Sequence, residues 1–113
     1  MPVPPTEAQH ILTAYWTLND PQNADVMREL IDAIEAQRNI PGVLSLEHGP
    51  RTLKVDWEGP QDSFDYGMVL AFDNFDSARA YVPHPIHQKL VAIVVRTGSD
   101  IRGYWIDRHR SDG

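Results

Sequence analysis

With 113 residues, of which 42% are hydrophobic, the chain has the size and apolar content of one folded domain, which excludes a multidomain assembly and a disordered tail. Ten Lys and Arg against sixteen Asp and Glu give a net charge of -6, the wrong sign for nucleic-acid phosphates or an anionic membrane surface, so neither is an expected partner. The absence of cysteine removes disulfides, thiolate metal sites, iron–sulfur clusters and a thiol nucleophile.

Residues 1–9, with Pro2, Pro4 and Pro5, read as a flexible extended arm. The arm has neither a basic residue nor an apolar run, so it does not read as a signal or transit peptide. No window approaches the ~18 apolar residues of a membrane span, and a cytoplasmic location is the expectation. The domain is expected over 10–107, followed by a polar tail at 108–113.

His10 to Leu18 (HILTAYWTL) is rich in β-branched, aromatic and aliphatic residues and is closed by Asn19, Asp20 and Pro21, which predicts a strand. Val26, Met27, Leu30, Ile31 and Ile34 recur at helical spacing among charged positions, with Asn23 placed to cap the helix and Ile40-Pro41-Gly42 to end it. Val43 to Gly49 reads as a second strand, and Pro50 to Ser63 as a long loop or short hairpin arm. Trp57 on that loop fits a lid or subunit contact as well as it fits packing against its own domain.

Asp65 to Phe72 alternates Tyr66, Met68, Leu70 and Phe72 with Gly67, Val69 and Ala71, a third strand with small residues on one side. The expectation is that helices lie against the small side. Asn74 and its neighbours open a short helix over Ser77–Tyr81, Pro85 starts another carrying Ile86, Leu90, Val91 and Val94, and a Gly98-Ser99-Asp100 turn leads into a fourth strand, Ile101–Asp107.

The order is βαββαβ. It predicts an α+β, ferredoxin-like sandwich: a four-stranded antiparallel sheet with helices on one face. The other face, expected to hold Leu12, Trp16, Met68, Leu70 and Phe72, is too apolar to stay exposed. A homodimer formed through the open sheet face is therefore expected.

The string AYVPHPIHQKLV from Ala80 to Val91 resembles the stress-responsive dimeric α/β-barrel (Dabb) family. His10 at the head of an apolar first strand, the junction at Ile40-Pro41-Gly42-Val43 and the stretch Tyr66 to Asp76 fit it in the same order. The resemblance spans about 10–107, and Tyr-x-x-His-Pro-x-His is its specific part. It implies that two subunits pair their sheets into a dimeric α/β barrel, with a cavity beneath the helices of each. Family members include plant heat-stable proteins and a plant polyketide cyclase that closes a ring by an aldol reaction without metal or cofactor. Carried over by motif position, its catalytic tyrosine and histidine fall on Tyr81 and His87, and a further pocket histidine on His10. Where that enzyme has another pocket histidine this chain has Tyr66, which implies a different substrate.

Proline at the first helical position makes His84 the cap and puts His87 in the first turn. The partial positive charge of a helix N-terminus disfavours a cation there, which suits a general base. A tyrosine hydroxyl nearby can donate to a carbonyl oxygen as enolate charge develops. Each residue also has a structural reading: His84 as a cap, His87 as a brace of the helix start, Tyr81 as packing, His10 as a loop anchor. His10, His48, His84 and His87 supply four imidazoles, but their spacing fits no metal-binding pattern, so no metal or cofactor is expected. Two function classes follow. One is a cofactor-independent cyclase, lyase or isomerase acting on a small apolar, aromatic or polyketide-like carbonyl compound, with His10, Tyr66, His84 and Trp57 as candidate substrate contacts. The other is a non-catalytic stress-response or ligand-binding dimer.

Overall fold

The computed structural model describes residues 10–57 and 63–109. The arm at 1–9, part of the loop at 58–62 and the end of the tail at 110–113 lie outside the described residues.

Strand β1 (His10–Leu18) is followed by helix α1 (Ala24–Glu35), which a 3-10 turn at Ala36–Asn39 prolongs to the Ile40-Pro41-Gly42 break. Then come β2 (Val43–Pro50), β3 (Tyr66–Phe72), α2 (Phe75–Tyr81), α3 (Pro85–Thr97) and β4 (Gly98–Asp107). The sheet order is β2-β3-β1-β4 and every neighbouring pair is antiparallel, so the chain has the ferredoxin-like α+β fold predicted from its element order.

The helix starts follow from local chemistry. The Asn23 side chain accepts from the backbone N–H groups of Asp25 and Val26, and that of Asn74 from Ser77, each satisfying donors that a first turn leaves open. Gly42 turns the chain into β2 at φ 90°, where an added Cβ would collide with Ser77 and a left-handed backbone favours glycine. The loop after β2 is anchored where it returns: Asp65 Oδ2 accepts from the Leu18 N–H at 2.8 Å, and the Arg51 guanidinium donates to the Phe64 carbonyl at 3.0 Å.

Two expectations are corrected. The face holding Leu12, Trp16, Met68, Leu70 and Phe72 is the one the helices cover, and all five are buried with Leu30, Ile34, Leu90 and Ile93. Large side chains fill the gap between a sheet and a helix layer. The small side stays open instead, and there Tyr15 lies over its cross-strand partner Gly67, where an added Cβ would sit 2.9 Å from the ring. The open face therefore presents Ile11, Thr13, Tyr15, Val69, Tyr104 and Ile106.

Secondly, Gly98-Ser99-Asp100 is not a turn. Helix α3 runs to Thr97, and Gly98 and Ser99 already pair with Leu18 and Thr17. The turn-forming tendency survives as a β-bulge opposite Trp16, with Asp100 at φ 50°.

Candidate functional site

The helix-facing positions of β1 and β4 form the floor of a trough roofed by α2 and α3. Along β1 they are His10, Leu12, Ala14 and Trp16; on the antiparallel neighbour Asp107, Trp105 and Gly103 pair with the first three, and Ile101 falls in the bulge opposite Trp16. Two cavities lie end to end on this floor. The inner one, about 190 Å³, is walled by Leu12, Ala14, Trp16, Met68, Leu90, Val94, Ile101 and Gly103, and His87 is its only ionisable lining residue. The outer one, about 280 Å³, is lined by His10, Phe75, Arg79, Val82, Trp105 and Asp107.

His87 occupies the first turn of α3, behind the His84 cap and Pro85. Its Nδ1 lies 2.8 Å from the Val82 carbonyl oxygen. A carbonyl only accepts, so Nδ1 carries the proton, and the neutral ring keeps its lone pair on Nε2. The Gln88 amide donates to the same carbonyl at 2.7 Å. His84 has the opposite arrangement: its Nδ1 accepts from the Ile86 N–H at 3.1 Å, which makes it the helix cap and leaves it outside both cavities.

Tyr81 ends α2 and is fully buried. Its ring lies 4.2 Å from that of His87 and 5.0 Å from Phe72. Its hydroxyl has no hydrogen-bond partner, and burial holds the phenol protonated by pushing its pKa far up. It is a donor without an acceptor. The Trp16 indole N–H in the inner cavity wall is likewise buried and unpartnered. Tyr81 does not line the inner cavity but stands behind the His87 ring.

His10 sits in the outer cavity, its Nδ1 2.9 Å from Asp107 Oδ1. The two histidines of the trough therefore occupy different cavities. Trp57 is 64% exposed and lines neither of them. Among the described residues, no three His, Asp or Glu side chains converge as metal ligands.

A sequence model of the stress responsive A/B barrel domain, Dabb, matches residues 9–102. The chain belongs to the Dabb family. Among solved structures this Dabb domain is similar to a dimeric ferredoxin-like protein of unknown function from Thermobifida fusca, with 22% identity, TM-score 0.72, and 90% of this chain and 93% of that chain covered. It is similar to a Dabb family protein with a ferredoxin-like fold from Mesorhizobium loti, with 21% identity, TM-score 0.69 and coverage of 92% and 100%. A third is SnoaB from Streptomyces nogalater, a cofactor-independent oxygenase, with 8% identity, TM-score 0.66 and coverage of 94% and 98%. At these identities the likeness is one of fold. No curated protein sequence matches the chain.

Away from the trough, the Dabb domain holds a polar chain that its sequence pattern does not reveal. Tyr66 is buried on β3 with its hydroxyl 2.7 Å from His48 Nδ1, and His48 Nε2 is 2.5 Å from Glu35 Oε2, which Arg38 also holds. Glu35, His48 and Tyr66 lie on three elements, so only the fold brings them together. Tyr66 thus reaches the trough only through its ring, 5.6 Å from Trp16. Hydrogen bonds from Arg38 and then His48 lower the Glu35 carboxyl from 4.5 to about 2. A lowered carboxyl stabilises the fold above its ordinary pKa and loses that contribution as the pH falls through the folded value. Wild type is therefore expected to melt higher than Glu35→Gln at pH 6, the gap closing between pH 4.5 and about 2; thermal melts across that range check it.

Proposed function

We propose that this Dabb domain is a small-molecule-binding homodimer that removes a proton next to the carbonyl of a small apolar or aromatic compound, without a cofactor, as the first step of an aldol-type ring closure or an isomerisation. The observation that carries the reading is His87, whose Nδ1–H is tied to the Val82 carbonyl while the ring lines an otherwise apolar cavity. His87 Nε2 takes the proton from the carbon. The electron pair left behind moves into the carbonyl, and the oxygen gains charge as it accepts a hydrogen bond from the unpartnered Tyr81 hydroxyl. Tyr81 does not line the empty cavity, so in this reading its hydroxyl reaches the oxygen only in the complex, where catalytic hydrogen bonds tighten. His84 fixes the turn that presents His87, Tyr66 supports the Trp16 wall, and His10 lines the neighbouring outer cavity.

The inner cavity, at about 190 Å³, lies below the roughly 300–1,000 Å³ of sites for drug-sized ligands and suits a compound of one or two rings. The homodimer is supported by the apolar open sheet face, and the Thermobifida fusca relative is described as dimeric. The test is hydrogen–deuterium exchange at the carbons next to the carbonyl of 2-tetralone in D2O, followed by NMR. Exchange faster than buffer supports the reading; exchange at the buffer rate overturns it. The buried position of the Tyr81 hydroxyl favours a second reading, a ligand-binding dimer without catalysis, which predicts that 2-tetralone binds and does not exchange.

Tyr81→Phe separates the two. Leaving a buried polar group unsatisfied costs about 1–3 kcal/mol, so removing this hydroxyl should raise the melting temperature by a few degrees. Under the catalytic reading the same variant loses at least tenfold in exchange rate; under the binding reading 2-tetralone affinity is unchanged. Calorimetry and the NMR assay read both.

A further inference from the structure

The two cavities of the trough are separated at one place. Leu12 faces Trp105 across β1 and β4; Leu12 walls the inner cavity and Trp105 the outer one. Above this pair, Val82 belongs to the outer cavity and His87 to the inner, joined by their hydrogen bond. Rings complete the partition: Trp105 lies 5.5 Å from Phe72, Phe72 lies 5.0 Å from Tyr81, and Tyr81 lies 4.2 Å from His87. Of these rings, Trp105 alone stands half in solvent, at 49% exposure. It is held on one side by Phe72 and is the ring of the partition that can be cut back without opening the core.

We propose that Trp105 is the specificity-determining residue of this site: it limits the ligand to one that fits the inner cavity, and it divides that cavity from an outer compartment suited to a longer tail. This rests on the reading of the inner cavity as the ligand site. The outer compartment already has walls for such a tail in Phe75, Ala78 and Val82, and a polar mouth in His10, Arg79 and Asp107. Without the indole, the inner and outer spaces, about 190 and 280 Å³, become one channel. The ligand class for the joined channel is an aryl ketone whose ring stays beside His87 and whose alkyl chain runs past Leu12 toward His10.

Alkyl phenyl ketones of rising chain length test this, with affinity measured by NMR titration of acetophenone, butyrophenone and octanophenone. A methylene that finds apolar surface adds about fourfold in affinity. In the wild type, affinity should rise from acetophenone to butyrophenone and fall at octanophenone. Trp105→Ala should bind octanophenone at least tenfold more tightly than wild type, with acetophenone changed by less than threefold. Trp105→Leu, which keeps more packing against Phe72, should give an intermediate value and covers the case in which the alanine variant does not fold. Gly103→Val is the second control. A Cβ there meets only Leu12 and Thr13 atoms at 4.0 Å, so the larger side chain fits and fills the inner cavity; it should weaken acetophenone. Octanophenone bound equally by the wild type and both Trp105 variants, with acetophenone still bound, overturns the role of Trp105 and leaves the proposed function standing. Binding of none of the three ketones to the wild type overturns both.

Discussion

Replacing His87 with glutamine is expected to reduce carbonyl-adjacent exchange of 2-tetralone by 10²–10⁴-fold, the contribution typical of a general base, while the melting temperature stays within about 5 °C of wild type. The two halves of that expectation come from the same hydrogen bonds. Glutamine has no lone pair basic enough to accept a proton from carbon, so the chemistry goes. The brace does not, because the Val82 carbonyl that His87 holds is also held by the Gln88 amide at 2.7 Å. One of its two donors survives, and losing the other costs about 0.5–1.5 kcal/mol at most. The helix start is fixed separately, by the His84 cap on the Ile86 N–H and by Pro85. If His87 acted only as a brace, the substitution would leave 2-tetralone unaltered by the protein in both forms and its whole effect would be on stability. Exchange by the glutamine variant at the wild-type rate would remove His87 from the chemistry altogether.

The contrast between His84 and His87 shows what the sequence makes legible here. Proline after His84 fixes the helix start, so the cap at His84 and the first-turn position of His87 follow from spacing. The structure adds which nitrogen of each ring is committed, and that depends on carbonyl and N–H positions which spacing does not contain. The succession of strands and helices was legible for the same local reason, since each period is carried by residues adjacent in the chain. The side of the sheet taken by the helices was not. Alternation in Tyr66–Phe72 separates large residues from small ones, yet either side can lie under a helix; the choice is made by the apolar stripes of α1 and α3, whose Leu30, Ile34 and Leu90 are buried against the large side. His10 and His87 stand on one motif-bearing chain and resemble parts of one site, but the Leu12–Trp105 pair sets them in separate cavities. The Glu35–His48–Tyr66 chain was hidden for a further reason: no single element carries two of its members.

The reassigned sheet face leads to the second large effect. A single charge at the centre of the open face, Val69→Lys, should convert the protein from a dimer to a monomer. Ile11, Tyr15, Tyr104 and Ile106 surround a strip in which Val69 is flanked by Thr13 on β1 and Glu47 on β2. Tyr104 and Ile106 are half exposed, at 53% and 49%, on a face that no helix covers, and a contiguous apolar surface of this sort marks an interface. In a two-fold dimer built on it, each Val69 meets the same surface of its partner, so one substitution places two ammonium groups in the contact. Glu47 pairs each ammonium in both states, but taking that charge pair out of water at the contact costs desolvation that its attraction does not fully offset, and the apolar Val69 contact is lost on both subunits. Within the monomer the lysine is tolerated, because Glu47 is its direct cross-strand neighbour and opposite charges there are favourable. That asymmetry is why lysine is the informative choice: aspartate would face Glu47 and unsettle the monomer as well. Sedimentation should give about twice the 12.8 kDa chain mass for wild type and a single chain mass for the variant. The wild-type melting temperature should rise with protein concentration while that of the variant does not. A wild type that sediments as one chain, or a variant that sediments as two, would leave the open face without its proposed partner.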